Sequence, residues 1–386
     1  MKFYLMFNPY CWPDHETPVK MAGRRTDLYQ DVVEVAVEHA QIADRSGFSG
    51  VFFSEQHGNV EGVPEVTDNP ILWDLFLAGH TENIMVGQLG NTITVNNPLA
   101  VADQIAHLDQ LTKGRALVGF TRGNTTRWAD QYGQHIPMGA TRSDKSEHDE
   151  RNMRALIEAW EIIKLAWTEE IFSFDGEFWK FPIPGSKWAY PPSKEWGVSV
   201  GEDDELLGVG IAPGPYQDPH PRIFAPMSGR AATVRFWARE AATIMCLTPR
   251  DDLIEGMLKV YADEAESSGR EVRRGEGIIV GGTYSIAADE ATAKRRAAVM
   301  EDWDAMLYGV PPYNLPHPMA LNGTPQQIID QIGALQEKHG VEELLLINEF
   351  PAPHGREVAT EMLEMLASEV LPAFGVRGPE PVGAGN

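Results

Sequence analysis

The sequence predicts an α/β protein, a (β/α)8 or TIM barrel with a long insertion before its fifth strand. Three observations carry that expectation. Eight short apolar runs alternate with segments of helical period, no stretch repeats another, and one Pro- and Gly-rich interruption at 181–221 breaks the rhythm. Strand–helix alternation at this count favours a parallel sheet closed on itself over an open doubly wound sheet. The chain of 386 residues is long enough for two or three average domains, but barrels routinely run longer as one unit. One domain is expected over 1–372, with 181–221 as a lid and 373–386 as a disordered tail.

Residues 3–7 form the first apolar run, closed by Asn8-Pro9. A helix over 28–45 follows, with Leu28, Val32, Val35, Ala36, His39, Ile42 and Ala43 on one face and Gly47 as its stop signal. Strands two, three and four are expected at 51–53, 84–89 and 116–120. Between the last two, Asn97 can cap a helix over 98–111 whose first turn takes Pro98. A long helix is expected at 151–167, whereas 181–221 reads as neither helix nor strand. Strands five to eight follow at 223–225, 243–247, 278–284 and 343–347. The helix before the last strand opens on Thr324-Pro325-Gln326-Gln327, which combines an N-cap, a first-turn proline and a capping-box glutamine.

Charge narrows the function. Lys and Arg total 32 against 56 Asp and Glu, a formal net charge of −24. Such a chain repels nucleic-acid backbones and anionic lipid, so neither is an expected partner. A phosphate-bearing cofactor would need a local cluster of cations or amides. Cys11 and Cys246 are too few for a disulfide framework. The opening MKFYLMFNPY is too short an apolar run for a signal core, and no run of about 18 apolar residues exists. The expectation is a soluble cytoplasmic protein. Phosphate-loop, dinucleotide and nucleophile-elbow motifs are absent, and no histidines pair at helical spacing for a metal.

A barrel places its chemistry at the C-terminal ends of its strands. Those positions are residues 8–10, 54–57, 90–92, 121–123, 227–229 and 348–349. Arg122 precedes a glycine, where its guanidinium could grip a phosphate bidentately or form an ordinary surface ion pair. Ser228-Gly229 after Met227 could present a hydroxyl and free N–H groups to a phosphate, or simply cap a helix. His57 reads as a base, a hydrogen-bond donor or a structural histidine, and Glu55 and Gln56 as ligand contacts or supports. Tyr10, Trp12, Trp188 and Tyr190 are aromatics suited to a flat or apolar ligand, or to packing.

At these residues the chain resembles the bacterial luciferase-like flavin-dependent monooxygenases over roughly 1–372. The strongest part is LGNTITVNNPLAVADQIAHLDQLTKGRALVGFTRG, residues 89–123. SGFSGVFFSEQH (46–57), PGPYQDPHPRIF (213–224) and LNGTPQQIIDQIGALQEKHGVEELLL (321–346) match three further family segments in the same order. The resemblance implies a usually dimeric barrel binding FMN as FMNH2, a separate NAD(P)H:flavin reductase, O2 and a small apolar substrate. It implies that Arg122 and Ser228-Gly229 contact the flavin phosphate, that Asn91 and Thr92 lie against the ring, and that Glu55 lines the site. Where family members often read E-H-H, this chain has Glu55-Gln56-His57. Gln56 therefore stands at the family histidine and cannot act as a base; His57, or a hydrogen-bond donor alone, would serve. The segment FNPYCWP, 7–13, is most similar to the subgroup acting on cyclic terpenoid ketones and olefins, including diketocamphane monooxygenases. Related barrels use the deazaflavin F420 for hydride transfer, and others bind flavin without turnover, so both alternatives stand beside oxygenation.

Overall fold

The computed structural model describes residues 1–141, 144–226 and 230–379. Eight strands carry the fold: β1 Lys2–Pro9, β2 Gly50–Phe53, β3 Met85–Gln88, β4 Ala116–Thr121, β5 Arg222–Ala225, β6 Thr243–Cys246, β7 Ile278–Ile286 and β8 Glu343–Phe350. All eight fall on the apolar runs. The helices are α1 Thr26–Ser46, α2 Pro70–Ala78, α3 Pro98–Thr112, α4 Thr126–Tyr132, α5 Glu147–Thr168, α6 Pro191–Trp196, α7 Ala231–Arg239, α8 Asp251–Ser267, α9 Glu290–Leu307, α10 Pro325–His339 and α11 Arg356–Met365. The chain divides into two compact units, Met1–Gly90 with Ile223–Asn386, and Asn91–Arg222.

In the first unit seven strands form one parallel arc in the order β5-β6-β7-β8-β1-β2-β3. A further strand, Met319–Gly323, pairs with the second half of β7; its five residues were not anticipated. They carry only three apolar side chains, and the pairing is tertiary. Gly281 and Gly282 permit the close approach of both neighbours, because a Cβ there would strike the carbonyl oxygens of Leu345 and Met319. Behind the arc lies the apolar layer of α1, α2, α10 and α11, with Val32, Val35, Trp73, Ile328 and Met362 packed on Phe3, Leu5, Phe53, Val86 and Leu346. Each such fully buried side chain contributes about 1.5–3 kcal/mol relative to exposure. The capping box at Thr324 forms as anticipated: Thr324 Oγ1 accepts from Gln327 N at 3.5 Å and Gln327 Oε1 from Thr324 N at 2.9 Å. Residues expected as a loose tail from 373 begin packed, with Phe374 and Phe3 ring centroids 5.6 Å apart; 380–386 lie outside the described residues.

The second unit holds β4, paired in parallel with the short strand Asn91–Thr92, and α3 to α6. Asn97 caps α3 as expected, accepting from Leu99 N at 3.0 Å and Ala100 N at 3.4 Å. The long helix α5 starts four residues earlier than its apolar period suggests. Ser146 caps it, and the acidic Glu147, Asp149 and Glu150 suit its first turn. Residues 181–221, read as neither element, contain α6, part of the hairpin Phe174–Asp175/Lys180–Phe181, and isolated bridges such as Lys187↔Glu205. Two buried carboxylates tie down this segment and the hairpin turn before it. Glu158 on α5 accepts from the backbone N–H groups of Glu177, Phe178 and Trp179 at 2.7–2.9 Å. Asp109 on α3 accepts from Tyr216 N, Gln217 N and Gln217 Nε2 at 2.8–2.9 Å. Among the described residues no helix is long and apolar enough to cross a membrane.

Candidate active site

Side chains alternate along a strand, so the residues of the arc divide between two faces. Phe3, Leu5 and Phe7 on β1 and Leu344, Leu346 and Phe350 on β8 belong to the helix-backed layer. Their alternates, Asn8 on β1 and Glu349 on β8, face the inner side, where Tyr4, Phe52 and Phe224 meet with centroids 4.9–5.8 Å apart. Asn348 instead faces the helices, accepting from Tyr284 Oη at 2.7 Å and meeting His39 Nδ1 at 2.9 Å. Burial first, then the Arg356 charge, lowers His39 to about 3, so this ring is a neutral packing element.

At the C-terminal end of the inner face, Asn8 and Glu349 are register partners. Three carboxyl groups gather there, each almost fully buried: Glu65 at 4% exposure, Asp304 at 6% and Glu349 at 4%. Glu65 accepts from Tyr308 Oη at 2.5 Å and from Ser54 Oγ. Tyr10 lies beside Tyr308 and Glu349, with its ring 5.2 Å from Trp303. Trp12 packs on the same indole at 5.7 Å and donates from Nε1 to Glu61 O at 2.9 Å. Burial pushes Glu65 up, against the pull of its Ser54 and Tyr308 donors. Burial, then the charges of Asp304 and Glu65, pushes Glu349 well above the carboxylate range. Asp304 rises to about 6 by burial, opposed by His317. Both phenols, Tyr10 and Tyr308, lie well above their usual value for the same primary reason.

Of the residues expected to act, Tyr10 and Trp12 come together in this cluster. Glu55 and His57 pair next to it in sequence, with His57 Nε2 3.0 Å from Glu55 Oε1 and both side chains largely buried. Gln56 N donates to Thr67 O at 3.1 Å, while its Oε1 is buried without a partner. In the second unit, Asn91 Oδ1 is likewise buried and unpartnered. Thr92 packs on Gly123, whose φ of +69° and approach of a virtual Cβ to 2.7 Å from Thr92 Cγ2 leave no room for a larger residue. Arg122 forms a buried rather than a surface ion pair: Nη1 reaches Asp149 Oδ1 at 3.1 Å. The Asp149 carboxylate also accepts from Thr141 Oγ1 at 2.7 Å and Lys145 N at 3.1 Å. Trp188 and Tyr190 pack on each other at 5.8 Å and remain half exposed, at 52% and 51%. Met227, Ser228 and Gly229 lie outside the described residues.

Glu65, Asp304 and Tyr308 escaped the sequence reading. Asp304 had a signal, since it shares the buried stripe of α9 with Met300, Trp303 and Leu307; Glu65 sits in a loop and had none. Among the described residues no group of three or more His, Cys, Asp or Glu is arranged to hold a metal ion. A groove of about 500 Å³ lined by Arg45, Ser46, Glu364 and Arg377 lies where α1 leads into β2, at the opposite strand ends from Asn8 and Glu349.

The model of the luciferase-like monooxygenase family matches residues 15–343. The chain belongs to the luciferase-like monooxygenase family. It is similar to the oxygenase component of a flavin-dependent trigonelline monooxygenase from Acinetobacter baylyi, 24% identical over 93% of this chain and 94% of that one. It is also similar to an alkanal monooxygenase beta chain from Photorhabdus luminescens, 29% identical over 40% of this chain. That match spans only 43% of the relative's length. Among solved structures, it resembles the oxygenating constituent of 3,6-diketocamphane monooxygenase from Pseudomonas putida, in complex with FMN, with a TM-score of 0.68. Identity there is 19%, over 96% of this chain and 98% of that one. The likeness shows the family's fold, the anticipated (β/α)8 barrel with its insertion before the fifth strand.

Proposed function

We propose that the protein is the oxygenase of a two-component flavin-dependent monooxygenase. It takes reduced FMN from a separate NAD(P)H:flavin reductase, together with O2, and oxygenates a small apolar substrate. One observation carries the reading: Asn8 Oδ1 and Glu349 Oε2 at the C-terminal ends of β1 and β8, and Gln56 Oε1 in the loop after β2, are buried in one unit with no partner. Buried polar groups are almost always paired, so three unpaired ones suit a ligand that completes them. A flavin ring, flat and apolar with carbonyls and an N–H along its edge, has complementary groups.

By family resemblance, Arg122 takes the cofactor phosphate, with Ser228 and Gly229, while Asn91, Thr92, Met227 and Glu55 contact the cofactor. Bound reduced flavin would supply the electrons that activate O2. The chain's own side chains orient and desolvate. Gln56 offers a hydrogen bond but no base, His57 is oriented by Glu55, and Tyr10, Trp12 and Trp303 exclude water. The 181–221 segment, with Trp188 and Tyr190, serves as the lid over substrate. A cyclic or terpenoid ketone or olefin is the proposed substrate, oxygenated by Baeyer–Villiger insertion, hydroxylation or epoxidation. The same reading includes a cytoplasmic setting and a homodimer, the latter supported by Leu72, Leu75 and Phe76, exposed together on α2.

The test is anaerobic titration with reduced FMN followed by flavin absorbance, then mixing with oxygenated buffer and candidate substrates. Binding, oxygen uptake and a product heavier by one oxygen atom are expected, and Arg122→Ala should weaken binding at least ~10-fold. No binding of reduced FMN by wild-type protein would overturn the reading. F420 binding without oxygen uptake would point to hydride transfer, and flavin bound without any turnover to a carrier.

A further inference from the structure

We propose that Glu349 acts as an undissociated carboxylic acid, donating a hydrogen bond from the inner end of β8 to an oxygen atom of the substrate. The substrate class this selects is a small molecule bearing a carbonyl or hydroxyl oxygen. The proposal deepens the oxygenation reading and rests on it.

The geometry begins with crowding. Glu349, Glu65 and Asp304 share one buried cluster, and among the described residues no salt bridge reaches any of them. Three negative charges cannot persist together without water or cations, so protons must be retained. The groups facing Glu349 are Tyr10 after β1, Glu65 after β2, Asp304 on α9 and Tyr308 after α9, with His317 facing Asp304; Tyr284 on β7 feels its charge from the helix-backed side. They do not share the charge equally. Glu65 accepts from two hydroxyl donors, Ser54 and Tyr308, which favour its ionised form. Asp304 faces His317, which opposes the rise in its proton affinity. Glu349 is less well placed: its Oε2 is buried without a partner, and burial with both neighbouring charges outweighs the opposing Tyr10 hydroxyl and raises its proton affinity.

A second observation turns the cluster into a site. Asn8, the register partner of Glu349 on the same face, also holds an unpartnered buried oxygen, Oδ1. A donor, the Glu349 hydroxyl, and an acceptor, the Asn8 side-chain carbonyl, thus share one face, with Glu349 Oε2 and Asn8 Oδ1 both unpartnered and the Tyr10 hydroxyl beside Glu349. A hydrogen bond from an undissociated acid to a ketone oxygen draws electrons from the carbonyl carbon and prepares it for nucleophilic attack. The proton remains on Glu349, so no further reactant is required.

The first test needs no flavin. Infrared spectra of the full chain at neutral pH should contain a carboxylic-acid carbonyl band that shifts in D2O, and Glu349→Gln should remove a component of it. Superimposable spectra of the two proteins, with the variant folded by circular dichroism, would overturn the proposal. The second test is turnover against pH with reduced FMN supplied in excess. Wild-type kcat should fall on the alkaline side as Glu349 ionises. Glu349→Gln, whose amide can still donate, should keep activity within ~10-fold and lose that limb, while Glu349→Leu should lose about 10²-fold or more. An alkaline limb surviving in Glu349→Gln would refute the assignment. If the band is present but wild-type protein fails to bind reduced FMN, the oxygenation reading has failed and the buried acid stands.

Discussion

Two sets of buried carboxyl groups occupy the two units, and they differ in what surrounds them. In the second unit, Asp109 and Glu158 are each met by three N–H donors, most of them backbone, and they anchor both ends of the insertion. In the first unit, Glu349 has an oxygen with no partner and two acids for neighbours. A buried carboxylate saturated with donors is a structural clamp. One starved of them is an unstable arrangement that only a ligand or a retained proton resolves. Asp109 and Gln217, from two of the segments that carry the family resemblance, bind each other at 2.8 Å, a packing role rather than a chemical one.

The comparison breaks most visibly at the clamps. Asp109→Ala strands three donors in a buried place and should destabilise the protein by about 3 kcal/mol or more in urea unfolding. An unchanged midpoint would mean that the donors find water. Glu158→Ala should cost about 2–4 kcal/mol and, before global unfolding, expose 174–181 to limited proteolysis.

Asp304 sharpens the contrast through pH. Its carboxyl rises from the ordinary 3.8 to about 6 in the folded protein, so the native state binds the proton more tightly than the unfolded chain. That contribution is complete below about pH 4 and is lost as pH climbs through 6, by up to about 3 kcal/mol. Asp304→Asn should therefore gain stability relative to wild type as pH rises from 4 to 6, read from urea midpoints across that window. A constant difference would show that Asp304 ionises normally.

Glu349→Leu should leave stability within about 1 kcal/mol of wild type, or raise it, because an unpartnered acid contributes little to folding. A large loss would make Glu349 another clamp. Thr324→Ala sets the floor: loss of one exposed cap at α10 should cost about 1 kcal/mol, and turnover should be unaffected.

Much of this was legible in the linear chain. The eight strands follow apolar runs, and the starts of α3 and α10 follow Asn97-Pro98 and Thr324-Pro325, because buried strands and helix caps are determined by residues within a few positions of one another. The start of α5 was missed because its first turn is acidic and exposed, outside the apolar period. The strand Met319–Gly323 was missed because its partner lies far away on β7.

The site divides in the same way. The sequence reading took Asn348 and Glu349 together as strand-end positions, and motif order singled out Arg122, Asn91, Gln56 and His57; the strand's extension to Phe350 put the first two on opposite faces. Only the tertiary structure brought Glu65 and Asp304 to Glu349 and gave Arg122 to Asp149. Glu65 and Tyr308 are separated by 243 residues along the chain, and no local pattern encodes such a meeting. Local patterning sets which side chains are buried, whereas closure of the fold sets which buried charges share a space, and that sharing decides whether an acid clamps or donates.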